Sequence, residues 1–262
     1  MDPLEAARAA LRVRQGAGAR HDAPEAPAEA LLWARLGTAC VARLLNELPD
    51  AALYAPSAVP GWTRAHVVAR LGYQARALAR LAEGAASGAM QPMHASEEAR
   101  RVEIENGASL PARALRHLVS HAAAHLDVEW RDLSGPAWDA PLTLPDGSVI
   151  ATRDTPWLRA RALWLGAVDL DAGGSLRAAP PGLLDRLLAE AAATWTGPDR
   201  MLVAVDRPSP IRFGAGGSAI RGRAADLARW ITGRGPPSGA AAPCLSHEEP
   251  LPGVAVDPTS EL

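Results

Sequence analysis

Four long stretches of this chain place apolar side chains three and four residues apart, and each is bounded by proline or glycine. That spacing puts the apolar groups on one face of a helix, which must be covered by other helices. The first stretch runs from Ala28 to Leu48 with Leu31, Leu32, Leu36, Ala39, Val41, Leu44 and Leu45, and ends near Pro49. The second follows Thr63, a suitable N-cap, and reaches about Gly84 with Val67, Leu71, Ala75, Leu78 and Ala82 as its buried stripe. The third spans Leu110 to Leu133 and turns Leu115, Leu118, Ala122, Leu126 and Trp130 inward. The fourth, Trp157 to Gly173, carries Leu163, Ala167 and Leu170 with Trp164 and Val168 beside them, and Gly173 and Gly174 should stop it. Apart from eight tryptophans the aromatics are Phe213, Tyr54 and Tyr73, so the core must be mostly Ala, Leu and Val, which suits helices. The expected class is mainly α.

Between and after these stretches the pattern changes. Residues 85 to 106 read as a loop with Met90, Pro92, Met93 and His94, then a helical segment from Ser96 to Glu105. From Gly135 to Thr155 the chain is irregular, with a short hairpin expected across Pro145-Asp146-Gly147. Beyond Gly174 a helix from Pro181 to Trp195 precedes strand-like Met201 to Val205, Ile211 to Phe213 and Ser218 to Arg221, then a helix from Ala224 to Thr232. The expected organisation is an N-terminal extension over 1–27, a bundle over 28–173, an α+β unit over 174–236 and a proline-rich tail over 237–262. The glycine-rich turn Gly214 to Gly217 lies between two strands, not between a strand and a helix, so it is no dinucleotide loop.

All 27 basic residues are arginines, which excludes lysine chemistry such as Schiff-base, pyridoxal or P-loop mechanisms. A net charge of −2 with both signs interspersed gives no footprint for nucleic acid. Cys40 and Cys244 are far apart and lack metal-ligand spacing, and Cys40 reads as a buried, inert thiol. The first residues carry Asp2 and Glu5 and no continuous apolar segment, and no run approaches the roughly 18 residues needed to cross a bilayer. The chain reads as a cytoplasmic protein with a small-molecule substrate, no nucleic-acid partner and no membrane.

Two polar series stand out. His66, Arg70 and Gln74 form one ridge on the flank of the second stripe, where polar groups either line a cavity or make a solvated helix edge; spacing allows both. His117, His121 and His125 repeat every four residues and Glu129 continues the series, which could hold a metal. Each of these histidines precedes a core-face residue by one position, so most of the ladder should be solvated.

Pro60-Gly61-Trp62-Thr63-Arg64 with His66-Val67-Val68-Ala69, Ala77-Leu78, Pro92-Met93 with Ser96 and Arg100, Ile104 to Ala108, and Ala167-Val168-Asp169-Leu170-Asp171-Ala172-Gly173 resemble the mycothiol-dependent maleylpyruvate isomerase family of the DinB-like superfamily. Gly222 to Arg234, ending Trp230-Ile231-Thr232-Gly233-Arg234-Gly235, resembles that family's second domain. The resemblance implies a four-helix bundle followed by a small sterol-carrier-like α+β domain. It also implies a divalent metal, usually zinc, held by a histidine on the second helix and a Glu-x-x-x-His pair on the fourth. In such an enzyme the metal deprotonates a cofactor thiol that adds reversibly to a conjugated cis double bond. In this sequence the three ligand positions are Arg70, Ala162 and Gly166, none of which binds zinc.

The expectation is therefore an enzyme that keeps the family pocket without the metal. It would act on an unsaturated carboxylic acid by isomerisation or thiol addition, with mycothiol or another small thiol as a possible cofactor. Arg70 with His66 and Gln74 would do the chemistry, while Tyr73, Trp164 and Arg234 would contact substrate. The alternative is a non-catalytic binding or partner protein built on the same bundle, its site enlarged or closed by the small side chains of Ala162 and Gly166.

Overall fold

The computed structural model describes residues 21–89, 92–196, 200–214 and 216–235. The run from Leu4 to Val13, the 1–20 part of the extension and the proline-rich tail lie outside them. Helices α1 (Ala28–Glu47), α2 (Arg64–Ser87), α4 (Ala112–Asp132) and α5 (Thr155–Asp169) form the bundle, and α3 (Glu97–Ala108) covers α2. A two-stranded antiparallel hairpin, β1 (Pro141–Thr143) and β2 (Val149–Ala151), sits before α5 and turns across the Pro145-Asp146-Gly147 segment as the sequence suggests. The chain then makes α6 (Pro181–Ala193), β3 (Arg200–Ala204), β4 (Ile211–Phe213), β5 (Ser218–Gly222) and α7 (Ala224–Ile231). The three strands have the order β4-β3-β5, antiparallel on one side and parallel on the other, with Leu202 opposite both Phe213 and Ile220.

The bundle is two helix pairs: α2 packs along α4 and α1 along α5, with α2 also reaching α5, while α1 and α4 scarcely meet. Every residue expected in the α2 stripe and on the α4 core face is buried. On α1 the spacing holds at Leu31, Val41, Leu44 and Leu45, which are buried, and misleads at Leu32 and Leu36, 53% and 44% exposed, and at Ala39, also exposed, while Ala34 turns inward. Cys40 is partly exposed, not fully buried. A continuous apolar cluster joins Trp33 and Trp164 of the bundle to Leu183, Leu187, Leu202 and Leu227 of the α+β unit, so the two parts share a core.

The end of α5 differs from the glycine stop expected from sequence. The helix ends at Asp169, before Gly173, because neighbouring elements capture its last carbonyls. Ala58 N–H donates to the Asp169 carbonyl at 2.9 Å, and Arg64 donates to the Leu170 and Asp171 carbonyls at 2.7 and 2.8 Å. A cation at this end also faces the negative pole of the helix. Asp171 (φ 47°) then turns the chain with Gly173 (φ 85°). Among the described residues no helix is long and apolar enough to cross a membrane.

Candidate functional site

The early helix end brings Asp169 to face the second helix. Arg70, in the middle of α2, donates from Nη2 to Asp169 Oδ2 at 2.9 Å, with 6% and 2% of the two side chains exposed. Arg234, which follows α7, grips the same carboxylate with Nε at 2.8 Å from Oδ1 and Nη2 at 3.0 Å from Oδ2, and donates to the Thr232 carbonyl. One buried carboxylate thus holds two guanidiniums and ties the α+β unit to the bundle. Charge-assisted forks of this kind are strong only when their remaining groups are also satisfied. Arg70 also lies over the Trp62 ring, 5.8 Å from its centroid.

Beside this triad is a cavity of about 10 Å³, room for roughly one water. Its wall includes Arg70, Tyr73, Gln74, His94, Arg100, Arg161 and Ala162. Three guanidiniums therefore converge on one small space. Burial, with Arg100 and Arg80 nearby, pushes the His94 imidazole down to about 4, so it is neutral at physiological pH. The Tyr73 hydroxyl is raised, by burial first and by Glu103 second. Tyr73 is pressed on α3, where a side chain at Gly107 would come within 2.5 Å of its ring. Gln74 accepts through Oε1 from Arg159 Nη1 at 3.1 Å.

Of the residues expected from sequence, Arg70, Gln74 and Tyr73 meet in this wall, and Arg234 joins them through Asp169. His66 and Trp164 do not line the cavity. His66 is held at the start of α2: Thr63 N–H donates to Nδ1 at 3.2 Å, Thr63 Oγ1 is 2.7 Å from the same nitrogen, and Nε2 faces Glu105 Oε2 at 3.3 Å. Trp164 points to the other side of α5, donating from Nε1 to the Trp33 carbonyl at 3.1 Å within the α1–α5 contact. Asp169, His94, Arg100 and Arg161 were not singled out as site residues. Asp169 and Arg100 lay in the matched motifs, but their roles depend on tertiary neighbours.

The donors around positions 70, 162 and 166 do not fit the divalent ion that the resemblance implies. Arg70 is committed to Asp169, and the only ring nitrogens in the cavity wall belong to His94. Gly166 gives no room either: a Cβ there would be 3.0 Å from Leu71 Cδ2, so Leu71 occupies the space an imidazole would need. Leu71 packs on Gly166 and the cavity beside Ala162 is only about 10 Å³, so the small side chains leave no large pocket there. On α4, His117 and His121 stack at 5.6 Å and are solvated, as their position relative to the core face suggests. His125 instead meets Glu83 and Glu129 at 3.1 and 3.2 Å, so the potential metal-binding set among the described residues is Glu83, His125 and Glu129, not three histidines.

Comparison with known proteins agrees with the architecture. Residues 34–171 match the mycothiol maleylpyruvate isomerase N-terminal domain, and residues 178–251 match the C-terminal domain of the same isomerases. The crystal structure of the mycothiol-dependent maleylpyruvate isomerase is similar at 37% identity and a TM-score of 0.74, covering 79% of this chain and 89% of that one. A histidine-to-alanine variant of that enzyme gives the same values. No curated protein sequence matches the chain. With both domain models matched in order and the solved enzyme superposing over most of its length, the chain belongs to the mycothiol maleylpyruvate isomerase family.

Proposed function

We propose that this protein is an isomerase-type enzyme that binds an unsaturated carboxylic acid and works without a metal, using guanidinium groups where its relatives place an ion. The observation that carries the reading is the convergence of Arg70, Arg100 and Arg161 on one cavity with neutral His94 and Gln74. The cavity holds about one water, so a carboxylate must widen it to enter; once there it meets several cationic donors in a partly dehydrated setting, where each contact is stronger than in water. A maleylpyruvate-like acid, which the name of the solved relative suggests, carries carboxylates to be gripped and a conjugated cis double bond to be rotated.

A small thiol, when bound, supplies a nucleophile that adds to the double bond and leaves again. The residues of this chain supply the electrostatics. Arg161, partly exposed in the cavity wall, and Arg100 hold substrate carboxylates, while the positive potential favours a thiolate over a thiol. Arg70, fixed by Asp169, stabilises the enolate-like charge that develops next to the carbonyl. Gln74 hydrogen-bonds the substrate, and neutral His94 offers a proton acceptor of low basicity. Tyr73 closes the wall against α3. Arg234 acts through Asp169 by fixing the orientation of Arg70, and so is a positioning residue.

The test is turnover of cis-unsaturated oxo diacids by the purified full chain with a low-molecular-weight thiol, with and without a strong chelator. Isomerisation that survives chelation, with Arg161→Gln raising KM by about 10-fold or more while the protein stays folded, is the expected result. Loss of turnover on chelation and its return with zinc would overturn the metal-free mechanism.

The 10 Å³ volume favours a second reading, a binding protein whose catalytic space has closed. Saturable binding of the acid with no conversion under any thiol would decide for it.

A further inference from the structure

A second cavity, of about 550 Å³, lies where α1 and α4 fail to pack. It shares no lining residue with the cationic site, although Arg159 in its wall donates to Gln74 of that site. Its volume is in the range of small-molecule sites. Thr38 and Ala42 of α1 face Val119 and Ala123 of α4 across it, side chains too short to close the gap. Polar bridges between the two helices flank it. Arg35 donates to Asp127 at 2.8 Å at one end, and at the other Arg116 donates to the Leu45 carbonyl at 3.1 Å.

Arg159 of α5 forms part of this cavity's wall. Its side chain is 1% exposed, and no carboxylate pairs with it among the described residues. Nη1 donates to the Leu71 carbonyl at 2.6 Å and to Gln74 Oε1, while Nε and Nη2 have no hydrogen-bond partner. Nε–H and Nη2–H are the parallel pair that a carboxylate takes side-on in a two-bond fork. Burial pulls the group down to about 9, so it remains a cation at neutral pH. A buried, uncompensated cation is among the most costly features a core can carry, and it strongly rewards an anion that reaches it.

We infer that the groove between α1 and α4 is a binding site for a carboxylic acid with an apolar tail, its tail along Ala42, Val119 and Ala123 and its carboxylate drawn onto Arg159 Nε and Nη2, which the packed wall covers and a local shift of that wall must uncover. Charge complementarity selects this occupant: the wall is largely apolar, and the unsatisfied donors belong to one cation.

Calorimetric titration of the full chain with decanoate, and with decanol as the uncharged control, tests the site. Decanoate is expected to bind one-to-one and about 10- to 100-fold more tightly than decanol, the margin for a charged hydrogen-bonded pair. Arg159→Met is expected to abolish that preference, and Ala123→Phe, which fills the groove without touching the guanidinium, to weaken both ligands. Equal affinity for acid and alcohol, no saturable binding, or decanoate binding unchanged in both variants would overturn the proposal. So would self-association of the chain that Ala123→Phe abolishes, since a second copy would then be the occupant.

Discussion

The cationic cavity beside α2 and α5 and the groove between α1 and α4 are built from similar parts, guanidiniums set into an Ala- and Leu-rich bundle, yet they have opposite outcomes. At the first, Arg70 is paired through Nη2 with Asp169, which it shares with Arg234, and the space is about 10 Å³. At the second, two nitrogens of Arg159 are unsatisfied and the space is about 550 Å³. Side-chain size alone does not account for the difference. Gly166 has no side chain, yet Leu71 fills the space beside it; Ala42 and Ala123 are comparably small, yet their helices stand apart. Polar contacts span both places: Arg70–Asp169 and Arg159–Gln74 link α2 to α5, and Arg35–Asp127 and Arg116–Leu45 link α1 to α4, so the difference lies in the apolar packing between them, which Leu71 fills at the first and nothing fills at the second.

The contrast can be tested by variants at matched positions. Asp169→Ala should have the largest effect, a loss of about 3–5 kcal/mol, because it strands two buried guanidiniums; chemical denaturation would measure it. A value near zero would mean that the triad is not desolvated. Gly166→His, which returns an imidazole to the fourth helix, should cost about 1–3 kcal/mol by overpacking against Leu71, read from the same unfolding curves. A neutral result would show that the closed cavity reopens easily. Arg159→Met should have the opposite sign and raise stability by roughly 1–2 kcal/mol in ligand-free protein, because it removes unsatisfied buried donors.

A separate effect, seen only in the pH dependence, should come from His94. Its folded value of about 4 lies below the ordinary 6.5, so between these values the unfolded chain binds a proton that the folded chain does not. Stability is therefore full above pH 6.5 and falls as the pH drops toward 4. His94→Asn should flatten that limb of the profile, and a carboxylate bound in the cationic cavity should move the His94 titration upward in an NMR experiment. If neither occurs, His94 is not part of that cavity's electrostatics.

The sequence by itself determined the class of fold, the positions of the four long helices and the presence of Arg, Ala and Gly at 70, 162 and 166, because each depends on local pattern or on chemical identity. Apolar spacing in α2 and α4 has one consistent solution, and no packing turns alanine or glycine into a ligand. On α1 the same reasoning misjudged Leu32 and Leu36, since a short helix face offers several nearly equivalent stripes and only the neighbours choose among them. His66, Arg70 and Gln74 share one ridge, but local spacing could not tell that His66 would be taken by Thr63 while the other two reach a cavity. Tertiary structure alone decided that Asp169 would gather Arg70 and Arg234 across the chain, that Trp164 would pack on α1, and that Arg159 would be buried without a counterion. Pairing and burial of charge depend on what lies opposite a side chain, and residues 65 and 99 positions apart become opposite only once the helices have packed.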